Sequence, residues 1–419
     1  YVSGDRGVPA RGRKGASIHL RALVAAWRES GVVSQIVTAN AGPEDGEKPR
    51  ADVTEARTGA PIALLAKSAA RLLGGAQAWE RAFLRITDNP ALFRAGREAA
   101  RALRPDMVYE RYALCSVAGS LIARARGITH VIEMNAPLAD EEERYRGLKL
   151  GRLTRALERW VLRRADLVVA VSPFVAEHAR RQGVAPERIR VLPNGVDPER
   201  FNPGRDGRRV RASLGLDGSF VAGFAGTLRP WHGVAHLIEG FALAARSRND
   251  MMLMILGDGP ERATLERLAR ERGVRDRVRF LGAVPHVEMG DHLAACDVLC
   301  APYAASTEFY FSPIKIAEYR ATGRAVIASA VGHLSHELGE ENGAVLTEPG
   351  NPEAIGAALL ALARDPARRR ALADAAAGDL WTWADVARET RREAEVARAR
   401  RWGWRRVQPP SVGDWPEAS

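Results

Sequence analysis

Cysteine is nearly missing from this chain: Cys115, Cys296 and Cys300 are the three present. An odd number, set in apolar segments without a CxxC or Cys/His pairing, indicates neither a disulfide framework nor a zinc site and fits a reducing compartment. Cys296 and Cys300 stand in HLAACDVLCAPY, a helix end running into a strand, so core packing is the expected role of both. Long apolar runs are missing as well. Stretches such as 167–171 and 251–256 fall far short of the ~20 residues a membrane-spanning helix needs. Neither a methionine nor an apolar leader opens the chain; Tyr1-Val2-Ser3 reads as the tail of a strand already under way, so an N-terminus clipped of earlier residues is expected. Zinc-finger, basic-zipper and aromatic RNA-binding strand motifs are not found, and no nucleic-acid partner is expected.

What the chain does have is positive charge: 62 Lys+Arg against 51 Asp+Glu, a formal net charge of +11. Long-range attraction then favours anionic partners. The arginines are spread through alternating-charge helices such as RRALERWVLRRAD, which fits a phosphorylated substrate or an acidic bilayer surface. Near the end, Arg398, Arg400, Arg401, Trp402, Trp404, Arg405 and Arg406 have the composition of an interfacial anchor or of a solvated helix end. The expected location is the cytoplasm, with peripheral contact at the inner membrane face left open.

At 419 residues and 46% hydrophobic content the chain is expected to build two domains. Short β-branched runs at 35–38, 107–109, 130–133, 167–171, 190–192, 220–224, 251–256, 278–280, 298–301 and 325–329 alternate with helical Ala/Leu/Arg-rich stretches. That grammar predicts an α/β protein of two Rossmann-like, doubly wound parallel sheets, binding ligands beyond the carboxyl ends of the strands. The polar, glycine-rich segment 202–218 marks the expected boundary. The expected organisation is a domain over 1–203, a second over 204–382, a helix over 383–402 that crosses back to the first, and a disordered tail over 403–419 with Pro409, Pro410 and Pro416.

Candidate chemistry gathers where glycine turns and polar residues follow strands. The segment 306–332 reads as a polar loop, a short helix and a buried strand; Ser312 and Lys315 in the first helical turn would hold a diphosphate while Glu318 accepts hydrogen bonds from sugar hydroxyls. The competing reading is an ordinary helix capped by Ser312, with Pro313 at its first position and Glu318 solvated. Gly15 lies in a glycine turn before an amphipathic helix over 18–30, where backbone can approach a diphosphate or an acceptor. A second turn, AGTLRPWHG, offers Arg229 as a bidentate phosphate clamp and His232 as a further hydrogen-bond donor, or else a surface cation and a packed ring. Glu110 and Arg111 end one strand, Glu133 and Asn135 follow the next, and all four are site candidates at the strand rim, with a Glu110–Arg111 ion pair as the alternative.

Taken together, RRADLVVAVSPFVAEHAR, IRVLPNGVDPERFNP, AGTLRPWHG, LMILGDGPERATLERLA, VRFLGAVPH, ACDVLCAPY and IKIAEYRATGRAVIAS, with GRKGASIHLRALVAAWRESG near the start, resemble in order the family-4 retaining glycosyltransferases of GT-B architecture. The resemblance covers the chain except its tail. It implies two Rossmann-like domains facing a deep cleft, the C-terminal one binding a nucleoside-diphosphate sugar and the N-terminal one an acceptor, which is a small molecule, a glycan or a lipid-linked sugar. It further implies a metal-independent transfer without a cofactor, in which the donor phosphate assists its own departure. Of the family's Glu-x7-Glu pair the second matches Glu318, a ribose-binding candidate, whereas the first position holds Tyr310, with Glu308 two residues away. The family's diphosphate Arg and Lys positions hold Thr227 and His232, leaving Arg229 and Lys315 as the cationic pair, and Arg111 stands where a histidine is often found. The implied catalytic set is therefore Arg111, Glu110 and Tyr310; the implied donor set is Gly15, Thr227, Arg229, His232, Gly257, Ser312, Lys315 and Glu318; Glu133 and Asn135 are assigned to the acceptor. A nucleotide-sugar epimerase on the same architecture and a non-catalytic nucleotide-sugar-binding subunit are the rival readings.

Overall fold

The computed structural model describes residues 1–12, 15–42, 52–74, 76–305, 312–378 and 380–401. Tyr310 and the expected tail over 403–419 lie outside the described residues. The chain divides into two compact units: Tyr1–Val171, Val175–Leu192 and the last helix from Ala387 onward form the first, and Ser172–Phe174 with Pro193–Val386 the second.

The first unit holds a seven-stranded sheet of β1 (Val2–Ser3), β2 (Ile36–Thr38), β3 (Val53–Glu55), β4 (Met107–Arg111), β5 (Thr129–Met134), β6 (Leu167–Ala170) and β7 (Ile189–Val191) in the order β3-β2-β1-β4-β5-β6-β7. The second holds β8 (Phe220–Ala225), β9 (Met251–Leu256), β10 (Val278–Gly282), β11 (Val298–Ala301), β12 (Ala325–Ser329) and β13 (Ala344–Thr347) in the order β10-β9-β8-β11-β12-β13. Every described pairing within both sheets is parallel. The reason is visible in β8: Phe220, Ala222 and Phe224 enter one buried cluster while Val221 and Ala225 enter another, so both faces need helices over them. Strand order reverses between β1 and β4 and again between β8 and β11, which fixes where each sheet opens a crevice at its carboxyl edge.

Two strands escaped the hydrophobic pattern. Edge strands β3 (VTE) and β13 (AVLT) are too short and too polar at their flanks to stand out, and pairing with a neighbour defines them. The boundary also moves: the second unit starts at Pro193, ahead of the glycine-rich segment. Val196 and Phe201 explain the shift, since both are buried in the second unit's core and Val196 bridges to Thr382. The last helix, Trp383–Arg401, starts in the second unit and belongs to the first from Ala387; there Trp27 Nε1 donates to the Ala387 carbonyl at 3.2 Å.

Candidate active site

In the second unit the turn after β8 is built by backbone approaching backbone. Gly226 and Gly257 adopt φ of 149° and 137°, and a Cβ on Gly257 would lie 1.9 Å from the Gly226 carbonyl oxygen. Gly257 N donates to Gly282 O at 2.7 Å and Gly226 N to Leu256 O at 2.8 Å, locking the two turns together. Gly257 therefore fixes the course of the turn that follows β9 against the one that follows β8. We expect Gly257→Ala to cost about 2–4 kcal/mol in urea unfolding, because the overlap is with main chain and no rotamer relieves it. Gly15→Ala is the comparison: a Cβ there meets nothing within 4 Å, and its unfolding midpoint should stay at the parental value.

Lys315 is the second residue of the helix Ile314–Ala321 and sends its ammonium group inward. Nζ lies 4.4 Å from the Phe224 ring centroid and 5.6 Å from that of Tyr303, and a Cβ on Gly226 would stand 2.6 Å from it. It is sealed from solvent and has no hydrogen-bond partner among the described residues; the surface that the residue retains belongs to its other atoms. Burial pulls its pKa down to about 7, against the opposing field of Glu318. His232 sits 6.1 Å from the same two rings and is pushed down to about 3 by burial and by the positive Lys315 and Arg229, a hydrogen bond to Thr227 O opposing the shift. Its Nδ1 faces that carbonyl at 2.5 Å, and a carbonyl only accepts, so the neutral ring spends its proton on the loop and presents a lone pair at Nε2. The donor expected of His232 is thus corrected to an acceptor. Thr227 is exposed, and so is Arg229, which lies 5.6 Å over the Trp231 ring.

The helix carrying Lys315 is held to β8 by Tyr319, whose hydroxyl accepts from Ala225 N at 2.6 Å and donates to Ala225 O at 3.2 Å. One residue earlier, Glu318 Oε1 receives His286 Nε2 at 3.2 Å. Arg200 donates to His286 Nδ1, which fixes the tautomer with the proton on Nε2. The sequence reading missed Arg200, His286, Phe224 and Tyr303; His286 ends the quoted VRFLGAVPH block, yet nothing local marks it as a partner of a residue 32 positions on. The expected place of Ser312 is corrected: the helix opens at Ile314 with Pro313 at the cap position, so Ser312 precedes both the first turn and the cap, and its carbonyl accepts from Asn194 Nδ2 at 2.6 Å.

In the first unit the four rim candidates separate. Successive strand residues face opposite ways, so Glu110 and Arg111 do not pair. Glu110 is 1% exposed and is held by Ser116 Oγ at 2.8 Å and His130 Nε2 at 2.9 Å, an interior position that takes it out of the expected rim. Arg111 crosses to its register partner Glu133, NH1 to Oε1 at 2.7 Å. Tyr109 Oη at 2.8 Å and His19 Nε2 at 2.9 Å approach Glu133 Oε2, and Asn135 Nδ2 donates to Oε1. Burial alone would raise the Glu133 pKa; His19, Arg111 and Asn135 together hold it well below the ordinary carboxylate range. All of its oxygen capacity goes to protein donors, so the acceptor contact expected of Glu133 is replaced by an internal clamp that orients Arg111 and Asn135.

Residues 219–365 match the family described as Glycosyl transferases group 1, and residues 13–200 match Glycosyltransferase Family 4. A D-inositol 3-phosphate glycosyltransferase of Xylanimonas cellulosilytica is 31% identical over 305 residues, covering 67% of this chain and 70% of that protein. The chain belongs to the group 1 glycosyltransferases. A 2-deoxystreptamine glucosyltransferase of Streptomyces kanamyceticus is 29% identical over 335 residues, 77% of this chain and 82% of that one. Among solved structures, a sucrose-phosphate synthase from Thermosynechococcus elongatus superposes with a TM-score of 0.71 at 20% identity, covering 95% of this chain and 99% of that one. Anabaena HepE in complex with UDP-glucose gives 0.70 at 20% identity, with 95% and 99% covered. This glycosyltransferase therefore has the GT-B fold, and the matches favour a transferase over the epimerase and the non-catalytic subunit. Among its described residues no helix is long and apolar enough to cross a membrane.

Proposed function

We propose that this glycosyltransferase moves a hexose-type unit from a nucleoside-diphosphate sugar held by the second unit to a hydroxyl-bearing acceptor recognised by the first, with retention of anomeric configuration and without a metal ion or cofactor. The observation that carries the donor assignment is the buried ammonium of Lys315 behind the Gly226 turn, without a hydrogen-bond partner among the described residues, at the carboxyl edge where the strand order reverses. A diphosphate there gains a buried cation on one side and the exposed, bidentate Arg229 on the other. Glu318, oriented by His286, is the acceptor for donor hydroxyls. As the glycosidic bond lengthens, negative charge grows on the departing diphosphate oxygen, and a preorganised ammonium in a dry site stabilises it more than water would. In the first unit, Asn135 and Arg111, oriented by Glu133, are assigned to the acceptor side.

The reading is tested by incubating the protein with UDP-glucose, UDP-N-acetylglucosamine and GDP-mannose, alone and with a cyclitol panel that includes 2-deoxystreptamine and inositol 3-phosphate, the compounds for which relatives are named. Nucleoside diphosphate release that requires the acceptor, gives a product with the donor's anomeric configuration by NMR and persists in EDTA is the expected result. Consumption of donor without an acceptor favours the epimerase, and an inverted product or a metal requirement overturns the mechanism.

A further inference from the structure

We infer that the nucleoside diphosphate enters this site together with a proton that ends on Lys315 Nζ. The inference rests on the donor assignment proposed above and adds a linkage to it. In the described residues around Nζ, the end of β8 brings only the Phe224 ring and Gly226, and the segment after β11 brings Tyr303, a phenol that burial keeps protonated. The turn brings the cation Arg229 and a neutral His232. On Lys315's own helix stand Tyr319, whose hydroxyl is spent on Ala225, and Glu318, whose Oε1 is engaged by His286. Ring faces attract an ammonium, but they do not replace the hydrogen bonds it loses on leaving water. Without a nucleotide the charged form is thus disfavoured, and burial brings Lys315 down to about 7, near its midpoint at neutral pH. A diphosphate brings both missing ingredients, negative charge and acceptor oxygens. The neutral amine takes a proton from solvent and becomes the ammonium; no covalent bond between heavy atoms changes.

The sign follows directly. Below about pH 7 the empty site already carries the proton and affinity is flat; above it, each nucleotide bound draws in close to one proton and affinity falls about tenfold per pH unit. Calorimetric titration of UDP and GDP into the full chain, from pH 6.5 to 9 in buffers of different ionisation enthalpy, reads both quantities. Above about pH 8 the nucleotide's terminal phosphate is fully ionised and contributes no proton of its own. Lys315→Arg, which stays charged, should bind without proton uptake. Lys315→Met, of similar length and apolar, should bind at least about tenfold more weakly, again without uptake. His286→Gln should retain the parental uptake, which assigns the proton to the lysine rather than to the nearby imidazole. Binding whose affinity is independent of pH between 7.5 and 9, or uptake that survives in Lys315→Met, overturns the inference and leaves the donor site standing. No binding of either nucleotide at any pH overturns the donor assignment and the inference with it.

Discussion

Replacing Glu318 with alanine should lower kcat/KM for the sugar donor by about 10- to 100-fold while shifting the melting temperature by no more than roughly two degrees. The size follows from the role proposed for the carboxylate, acceptor of a donor hydroxyl. A charged acceptor facing a sugar or ribose hydroxyl contributes about 1.5–3 kcal/mol, and the alanine variant leaves that hydroxyl without a partner in a half-buried site. The small effect on folding follows from the contact it loses: His286 is 24% exposed on its side chain, so water can replace that bond. Glu318→Gln keeps the shape and one acceptor oxygen and should lose less. If the interaction forms equally in the ground state and the transition state, KM rises alone; if it tightens as the diphosphate leaves, kcat falls too. Parental kcat/KM across a full donor titration of Glu318→Ala would remove this residue from the site.

A different outcome is expected for Glu133→Ala, which should cost about 3–5 kcal/mol and lower the melting transition by roughly 10 °C. The deletion leaves the Arg111 guanidinium, 10% exposed on its side chain, without its carboxylate, and it strips partners from Tyr109 and His19 as well. Because the folded-state pKa of Glu133 is held below its unfolded value, its contribution is fully present above about pH 4.3 and is lost as acidification proceeds through the folded value. The gap between parent and variant measured by denaturant unfolding should therefore close at acid pH. A variant that melts with the parent but loses acceptor-dependent turnover would instead make Glu133 a substrate contact, as the sequence pattern proposes.

The glycine turns, the strand-ending polar residues and Glu318 were legible as candidates because each sits at a fixed offset from an apolar run. Whether such a residue faces ligand or protein was not legible. Glu110 and Glu133 look alike in sequence, as carboxylates at the ends of adjacent strands; the pleat turns one toward His130 and Ser116 and the other toward Arg111, His19 and Tyr109. His232 was visible as a residue of the turn, but its role reversed once Thr227 O claimed its proton.

The order of apolar runs and turn residues by itself determined the class of fold, two parallel α/β sheets, since burial on both faces of a strand is written in consecutive residues. Tertiary structure decided the chemistry of individual groups. Lys315 is a charged surface residue by composition and a sealed amine by position, because the fold brings Phe224 and Gly226 from the distant end of β8, and Tyr303 from the segment after β11, around its ammonium group. Electrostatic energy depends on distance and on access to water, and neither is a local property of sequence.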